Sequence, residues 1–300
     1  MAVYKKTYRP YDGELTGSLH RLLVIPRYAF EDLNRSRFLT IFFLASFIYP
    51  LVCALIIYVR HNASALTLLG AQGADRFIAI NVVFFMSLLG WQSMLALFLA
   101  SFIGPGQISP DLANNALSLY LARPFSRAEY VLGKAAVLLI LLSLMTWIPG
   151  LLLFGLQGYL EGGSWMSENW RLASGMFFGA WIWILILALL ALALSAWVKW
   201  KPAAGALMFG VFFVAGGFGA TINGVQRTNW GHLFNISYLI GSVWVDLFEG
   251  ANKTTNGALF FRAPRGEELP IWCSWAGLFA LCGICLYMLA RKIRGMEVVR

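Results

Sequence analysis

The residues able to do chemistry are few and poorly grouped for it. Three histidines, His20, His61 and His232, are the whole supply, no HExxH pair occurs, and none of the three falls inside the core of an apolar run. A metal-hydrolase centre therefore lacks a ligand set. The four cysteines, Cys53, Cys273, Cys282 and Cys285, all lie in apolar runs. The CxxC at 282 to 285 is embedded in LCGICLY, not at the polar start of a helix where a thiolate is stabilised, so it reads as packing rather than redox or metal chemistry. The one Gly-Lys pair, Gly133 and Lys134, is followed by alanine and has no upstream glycine at phosphate-loop spacing. What stands out instead is LARPFSRAEY, residues 121 to 130, with three charges in ten positions of a chain that is only 12% charged.

The elements around that stretch define the class. The chain is 59% hydrophobic and 15% aromatic, with a mean hydropathy of +0.70, far outside the range of soluble domains. A helix crossing a hydrocarbon core needs roughly 20 apolar residues. Six windows without Asp, Glu, Lys or Arg satisfy this: Phe38 to Val59, Phe77 to Ile103, Ala135 to Leu160, Leu172 to Val198, Pro202 to Gln226 and Leu269 to Ala290. Ion-coupled transporters, proton relays and voltage sensors keep ionisable groups inside the bilayer, each costing about 2.5 to 3.5 kcal/mol on insertion scales. These six windows have none, so energy for uphill movement has to arrive from outside the membrane.

Sidedness follows from the basic residues, which resist translocation when close to a span end. With the N-terminus inside, 16 of the 23 Lys and Arg fall on inside segments, whereas the 14 acidic residues divide evenly. Both termini are thus predicted cytoplasmic. The positive balance matches anionic headgroups better than nucleic acid, because it clusters at span ends rather than on one soluble face. A cleaved signal peptide is not expected, since the first apolar run begins only at residue 38 and is too long for an h-region. One membrane domain covers residues 1 to 300, with a cytoplasmic tail over 1 to 37, a cytoplasmic segment over 104 to 134 and an extracytoplasmic one over 227 to 268.

Each of these segments carries a further expectation. In the tail, Leu15, Leu19, Leu22, Leu23, Phe30 and Leu33 share a helical stripe, which predicts an amphipathic helix in the headgroup plane, bent or broken at Pro26. In the outer segment, Ile236, Leu239, Ile240, Val243 and Leu247 predict a helix in or on the outer leaflet. Its aromatics, Phe234, Tyr238, Trp244 and Phe248, suit lipid or an amphiphilic cargo, or an ordinary interfacial belt. The fifth span pairs Ala206 with Gly210, Ala215 with Gly219 and Gly216 with Ala220 at four-residue spacing. Such spacing lets helix backbones approach closely. Gly210, Gly216, Gly217 and Gly219 therefore mark a subunit interface, the wall of a substrate path, or packing within one subunit.

LARPFSRAEY and the residues leading into it are written as helix, break, helix. Ser109 followed by Pro110 predicts an N-cap and first turn, and Asp111 adds negative charge where the helix dipole is positive. The helix is expected to run to about Leu121 and to end before Pro124. Ser126 to Glu129 forms a capping box, so the third span should begin several residues before its apolar part.

The pattern Ile108, Ser109, Asp111, then Tyr120-Leu121, Arg123-Pro124-Phe125-Ser126-Arg127, Tyr130 and Leu132-Gly133-Lys134 resembles the cytoplasmic loop of ATP-binding-cassette export permeases of the ABC-2 type. The specific part is residues 108 to 134, while span number and loop order extend the likeness over nearly the whole chain. The resemblance implies an all-α polytopic membrane protein of six transmembrane helices, with an N-terminal interfacial helix, a cytoplasmic coupling helix between spans two and three, and an outer-leaflet helical segment before span six. It implies a permease in a bacterial inner (plasma) membrane that docks a separately encoded ATPase, and a second permease subunit, identical or not. ATP and Mg would be bound by the ATPase and no cofactor by this chain. By position, Ser109, Asp111, Asn114 and Asn115 belong to the contact helix, and Arg123, Phe125 and Arg127 to the hinge into span three. Where many relatives carry a glutamate-rich stretch, this chain has DLANNA from Asp111. The rival class is a non-transporting membrane scaffold or sensor.

Overall fold

The computed structural model describes residues 26–28, 30, 36–62, 79–114, 116, 127–249 and 269–293. Among them there are helices and no strands. Six stretches are long and apolar enough to cross a membrane: Arg37–Arg60, Val82–Ala113, Arg127–Glu161, Trp170–Trp197, Lys201–Gln226 and Ile271–Lys292. These are the six predicted windows with shifted ends. Span two begins at Val82 rather than Phe77, because Asn81 caps it by accepting the backbone N–H groups of Val83 and Phe84. Span three is already helical at Arg127, ahead of its apolar part as expected. The predicted N-terminal amphipathic helix lies almost wholly outside the described residues.

Two spans are each built from two helices, and a proline accounts for each interruption. Span one comprises α1 (Arg37–Ala45) and α2 (Ile48–Arg60). Pro50 has no N–H to offer the carbonyl of Ser46 four residues back. Gln92, in the middle of span two (α3, Val82–Ile103) and 1% exposed, donates its amide to that carbonyl at 3.0 Å. The backbone acceptor opened by the break is thereby satisfied from a neighbouring helix, as a break at bilayer depth requires. Span three comprises α5 (Arg127–Met145) and α6 (Trp147–Glu161), interrupted at Thr146 ahead of Pro149. The short helices α4 (Ser109–Ala113) and α7 (Gly163–Glu168) flank this span.

Spans two, three and four form the core. Between 56% and 61% of their most apolar windows is buried, against 22% to 28% for spans one, five and six, so the latter three keep faces open to lipid or to a partner. Span four (α8, Trp170–Trp197) is the centre: Trp183 is 1% exposed, donates its indole N–H to Ser93 O at 2.9 Å and meets Trp244 edge to face. Trp244 belongs to α10 (Ile236–Glu249), the helix before span six. At 14 residues α10 is about 21 Å long, too short to cross alone.

The expectation of a lipid- or cargo-facing aromatic set on this segment is corrected by its packing. Tyr238, Trp244 and Phe248 are buried, and only Phe234 is half exposed. Trp244 donates to Gly179 O at 2.9 Å, and Gly179 allows the approach because a side chain there would crowd the indole. Span five (α9, Lys201–Gln226) and span six (α11, Ile271–Lys292) close the outside of the bundle. At the end of spans one and three away from α4, His61 Nε2 lies 2.8 Å from Glu161 Oε2.

Candidate functional site

The corner between spans two and three is held by side chains from spans three and four. The α3 helix of span two stops at Gly104-Pro105-Gly106, a 3-10 turn in which Pro105 removes a donor and Gly104 abuts span four. A β-carbon on Gly104 would stand 2.5 Å from Ala191 Cβ, so only glycine allows this approach. The chain then enters α4 with Ile108 at the N-cap position and no cap from its own side chains.

Here the structure corrects the sequence reading. Ser109 is the first residue of α4 rather than its cap, and its hydroxyl donates to Lys199 O at 2.9 Å. The cap comes from span four. Ser195 Oγ accepts the N–H of Ile108 at 2.9 Å and of Ser109 at 3.0 Å, and donates to Pro105 O at 2.9 Å. One hydroxyl has a single proton and two lone pairs, so these three bonds saturate it. Ser195 is 1% exposed, and two of the free donors at the start of α4 are met without water.

Asp111 is tied to span three. Tyr130, fully buried, donates its hydroxyl to Asp111 Oδ2 at 2.7 Å, and Lys134 Nζ lies 2.8 Å from the same oxygen. The Asp111 and Lys134 side chains are only 16% and 13% exposed. The acidic group is thus engaged within the chain, and it sits in the first turn of α4, where the helix dipole favours it. Tyr130 and Lys134 fall one turn apart on α5, so both reach the same carboxylate.

Of the other predicted contact residues, Asn114 is an exposed turn residue at the end of α4 and Arg127 is an exposed residue opening α5. The helix expected to reach Leu121 is continuous only through Ala113; Ala116 is again helical, and 117–126 lie outside the described residues. Asn115, Arg123, Phe125 and the Ser126 half of the capping box are likewise outside them. The corner therefore joins Ser109 and Asp111 to Tyr130, Lys134, Ser195 and Lys199, four residues that the contact assignment did not include. For Ser195 the signal was present: Ala191 and Ser195 are spaced by four, so a small residue and a hydroxyl point to one side of span four.

The span-five glycines separate into two groups. Gly219 lies against Gly231 O, and Gly216 faces Asn235, with a β-carbon there 3.3 Å from Asn235 Cγ. These two serve packing within the chain, where Asn223 Oδ1 also accepts the Gly231 N–H at 2.7 Å. Gly210 and Gly217, and Gly224 a further seven residues on, have nothing within 4 Å of the point a β-carbon would occupy, and face outward. His232, between spans five and six, stacks on Tyr238 with ring centroids 4.1 Å apart, and burial holds its pKa below the ordinary histidine value.

Among the described residues no three His, Cys, Asp or Glu side chains gather as a metal site. The corner is fastened to spans three and four at once. A family model described as ABC-2 family transporter protein matches residues 27–291. Comparison with curated proteins finds no match.

Proposed function

Because this chain belongs to the ABC-2 transporter family and so serves as a membrane permease of an ATP-binding-cassette transporter, we propose that it is an export subunit driven by a separate ATPase through the corner around Ser109–Ala113. The observation that supports this reading is a short helix at the turn between two spans, fastened to spans three and four rather than left as a free loop. A loop needs no such attachment to join two helices. An element that receives force does.

In this reading the ATPase meets Asn114 and Arg127, both exposed, together with Asn115, Arg123 and Phe125, while Ser109 and Asp111 hold the corner to the membrane helices. ATP and Mg reside on the ATPase. Both termini and the corner face the cytoplasm of a bacterial inner membrane. A second permease subunit packs on the open side of span five, where Gly210, Gly217 and Gly224 recur every seven residues beside exposed Phe213 and Val214. Smooth small-residue faces of this kind let helices approach closely in lipid. The apolar windows of the spans carry no charged residue, which favours an apolar or amphiphilic cargo over a small ion.

Co-purification with candidate ATPases, followed by ATP hydrolysis with and without the permease in lipid, tests the reading. Asn114→Arg combined with Arg127→Glu should lower ATPase recovery at least fivefold while membrane insertion is retained. Full recovery would remove the docking assignment, and failure of every ATPase to bind would favour a non-transporting scaffold. Labelling of a cysteine at position 115 by an impermeant reagent in intact cells would overturn the sidedness.

A further inference from the structure

We infer that Ser195 is the positioning residue that locks the coupling corner to span four, so that displacement of the corner enters the membrane through span four rather than back along span two. The inference rests on the permease reading above and concerns how the corner is held, not what docks on it. The corner touches span four at two successive turns and just past its end: Gly104 against Ala191, Pro105, Ile108 and Ser109 on the Ser195 hydroxyl, and Ser109 on the carbonyl of Lys199, which follows the extended Val198 beyond the last helical residue, Trp197. Ala191 and Ser195 lie one turn apart, about 6 Å at 1.5 Å per residue.

Its covalent link to span two is weaker in kind. Between Ile103 and Ile108 the chain passes through Gly104-Pro105-Gly106, where the α-helical ladder gives way to a 3-10 turn. Such a segment bends more readily than a continuous helix. On the span-three side, Asp111 bonds Tyr130 and Lys134. Span two therefore supplies the joint, and spans three and four supply the anchorage. Span four is also the element that carries force furthest, since Trp183 and Gly179 connect it to span two and to α10.

Ser195 is the link among these that binds both the joint and α4. It accepts from α4 and donates to the turn before it, so removing the hydroxyl orphans two buried N–H groups and one carbonyl together. A neighbouring apolar contact cannot replace that function.

The first test uses the permease in lipid nanodiscs. Amide exchange at Ile108 and Ser109 should be slow in the unaltered chain, about tenfold faster in Ser195→Ala, and recovered in Ser195→Thr, which keeps the hydroxyl. Ser109→Ala, losing only the Lys199 bond, should fall between and guards against a Ser195→Ala chain that does not fold. Unchanged exchange in Ser195→Ala overturns the latch.

The second test uses the complex with its ATPase, the native cysteines replaced, and spin labels on exposed positions Ala113 and Leu185 or Ala113 and Trp91. On adding nucleotide the 113–185 distance should hold while the 113–91 distance shifts, and in Ser195→Ala the 113–185 distribution should broaden and become nucleotide-dependent. A 113–185 distance that moves as much as 113–91 in the unaltered chain overturns the route through span four. If neither distance responds although the ATPase binds and turns over, the permease reading falls and takes the route with it, whereas the exchange result stands apart from both.

Discussion

Replacing Gln92 by leucine should cost about 1 kcal/mol, and the cost should vanish when Pro50 is also replaced by alanine. Gln92 Nε2 donates to Ser46 O at 3.0 Å because Pro50 cannot. The substitution removes one interhelical hydrogen bond, which in membrane proteins averages about 0.6 and reaches about 1.7 kcal/mol. It also orphans the Ser46 carbonyl, a penalty of about 1 to 3 kcal/mol. It relieves a comparable penalty, because Gln92 Oε1 is itself buried without a partner. The two orphan contributions cancel to first order and the bond itself remains.

Pro50→Ala restores an N–H four residues after Ser46, so the helix can satisfy its own carbonyl and no longer needs Gln92. The coupling energy between the two sites, the double loss minus the two single losses, should therefore be about 1 kcal/mol in size and opposite in sign to the single Gln92→Leu loss. Unfolding of the purified protein in mixed micelles, followed by the fluorescence of its twelve tryptophans, measures all four corners of the cycle. Additive losses, with coupling under about 0.3 kcal/mol, would refute the claim that Gln92 compensates for the proline.

Gly219→Ala should cost about 2 to 3 kcal/mol, because the new carbon meets the Gly231 carbonyl, which is backbone and cannot rotate away. Gly217→Ala, facing open space, should leave the stability of the single chain within about 0.5 kcal/mol and can act only on association; the same unfolding assay compares the two. His232, whose pKa burial lowers, should make stability fall in acid. The unfolded chain takes up a proton below about pH 6.5 before the folded chain does, so stability is full above that pH and is lost as pH falls toward the folded-state pKa. His232→Phe keeps a ring against Tyr238 and should flatten that part of the profile; identical profiles in thermal melts from pH 7.5 to 5.5 would assign the dependence elsewhere.

Most of the bundle is legible in one dimension because lipid imposes a one-dimensional rule. A span must be apolar for about 20 residues and satisfy its backbone within a helix, so six charge-free windows became six spans. Span three is already helical at Arg127, and the polar residues ahead of its apolar run made an early start legible. The prolines at 50 and 149 were equally visible, yet their consequence was not. A proline announces that a carbonyl is freed, and only the arrival of Gln92 from another helix decides whether that acceptor is met.

The corner divides in the same way. Pro110 and Asp111 place a helix start between spans two and three by local preference, and that is as far as composition and spacing reach. Capping chemistry inside one stretch could not distinguish Ser109 as the cap from Ser195, 86 residues away, which in the structure performs that role. Nor could it reveal that Asp111 is engaged by Tyr130 and Lys134 rather than presented outward. The sequence alone determined that this chain spans a membrane six times without charge in the apolar windows of its spans, since burying ionisable groups in hydrocarbon is costly enough to be decisive residue by residue. Tertiary structure decided which hydroxyl holds the corner, which glycines touch backbone and which face outward, because hydrogen bonds and close contacts depend on atoms brought together across the fold.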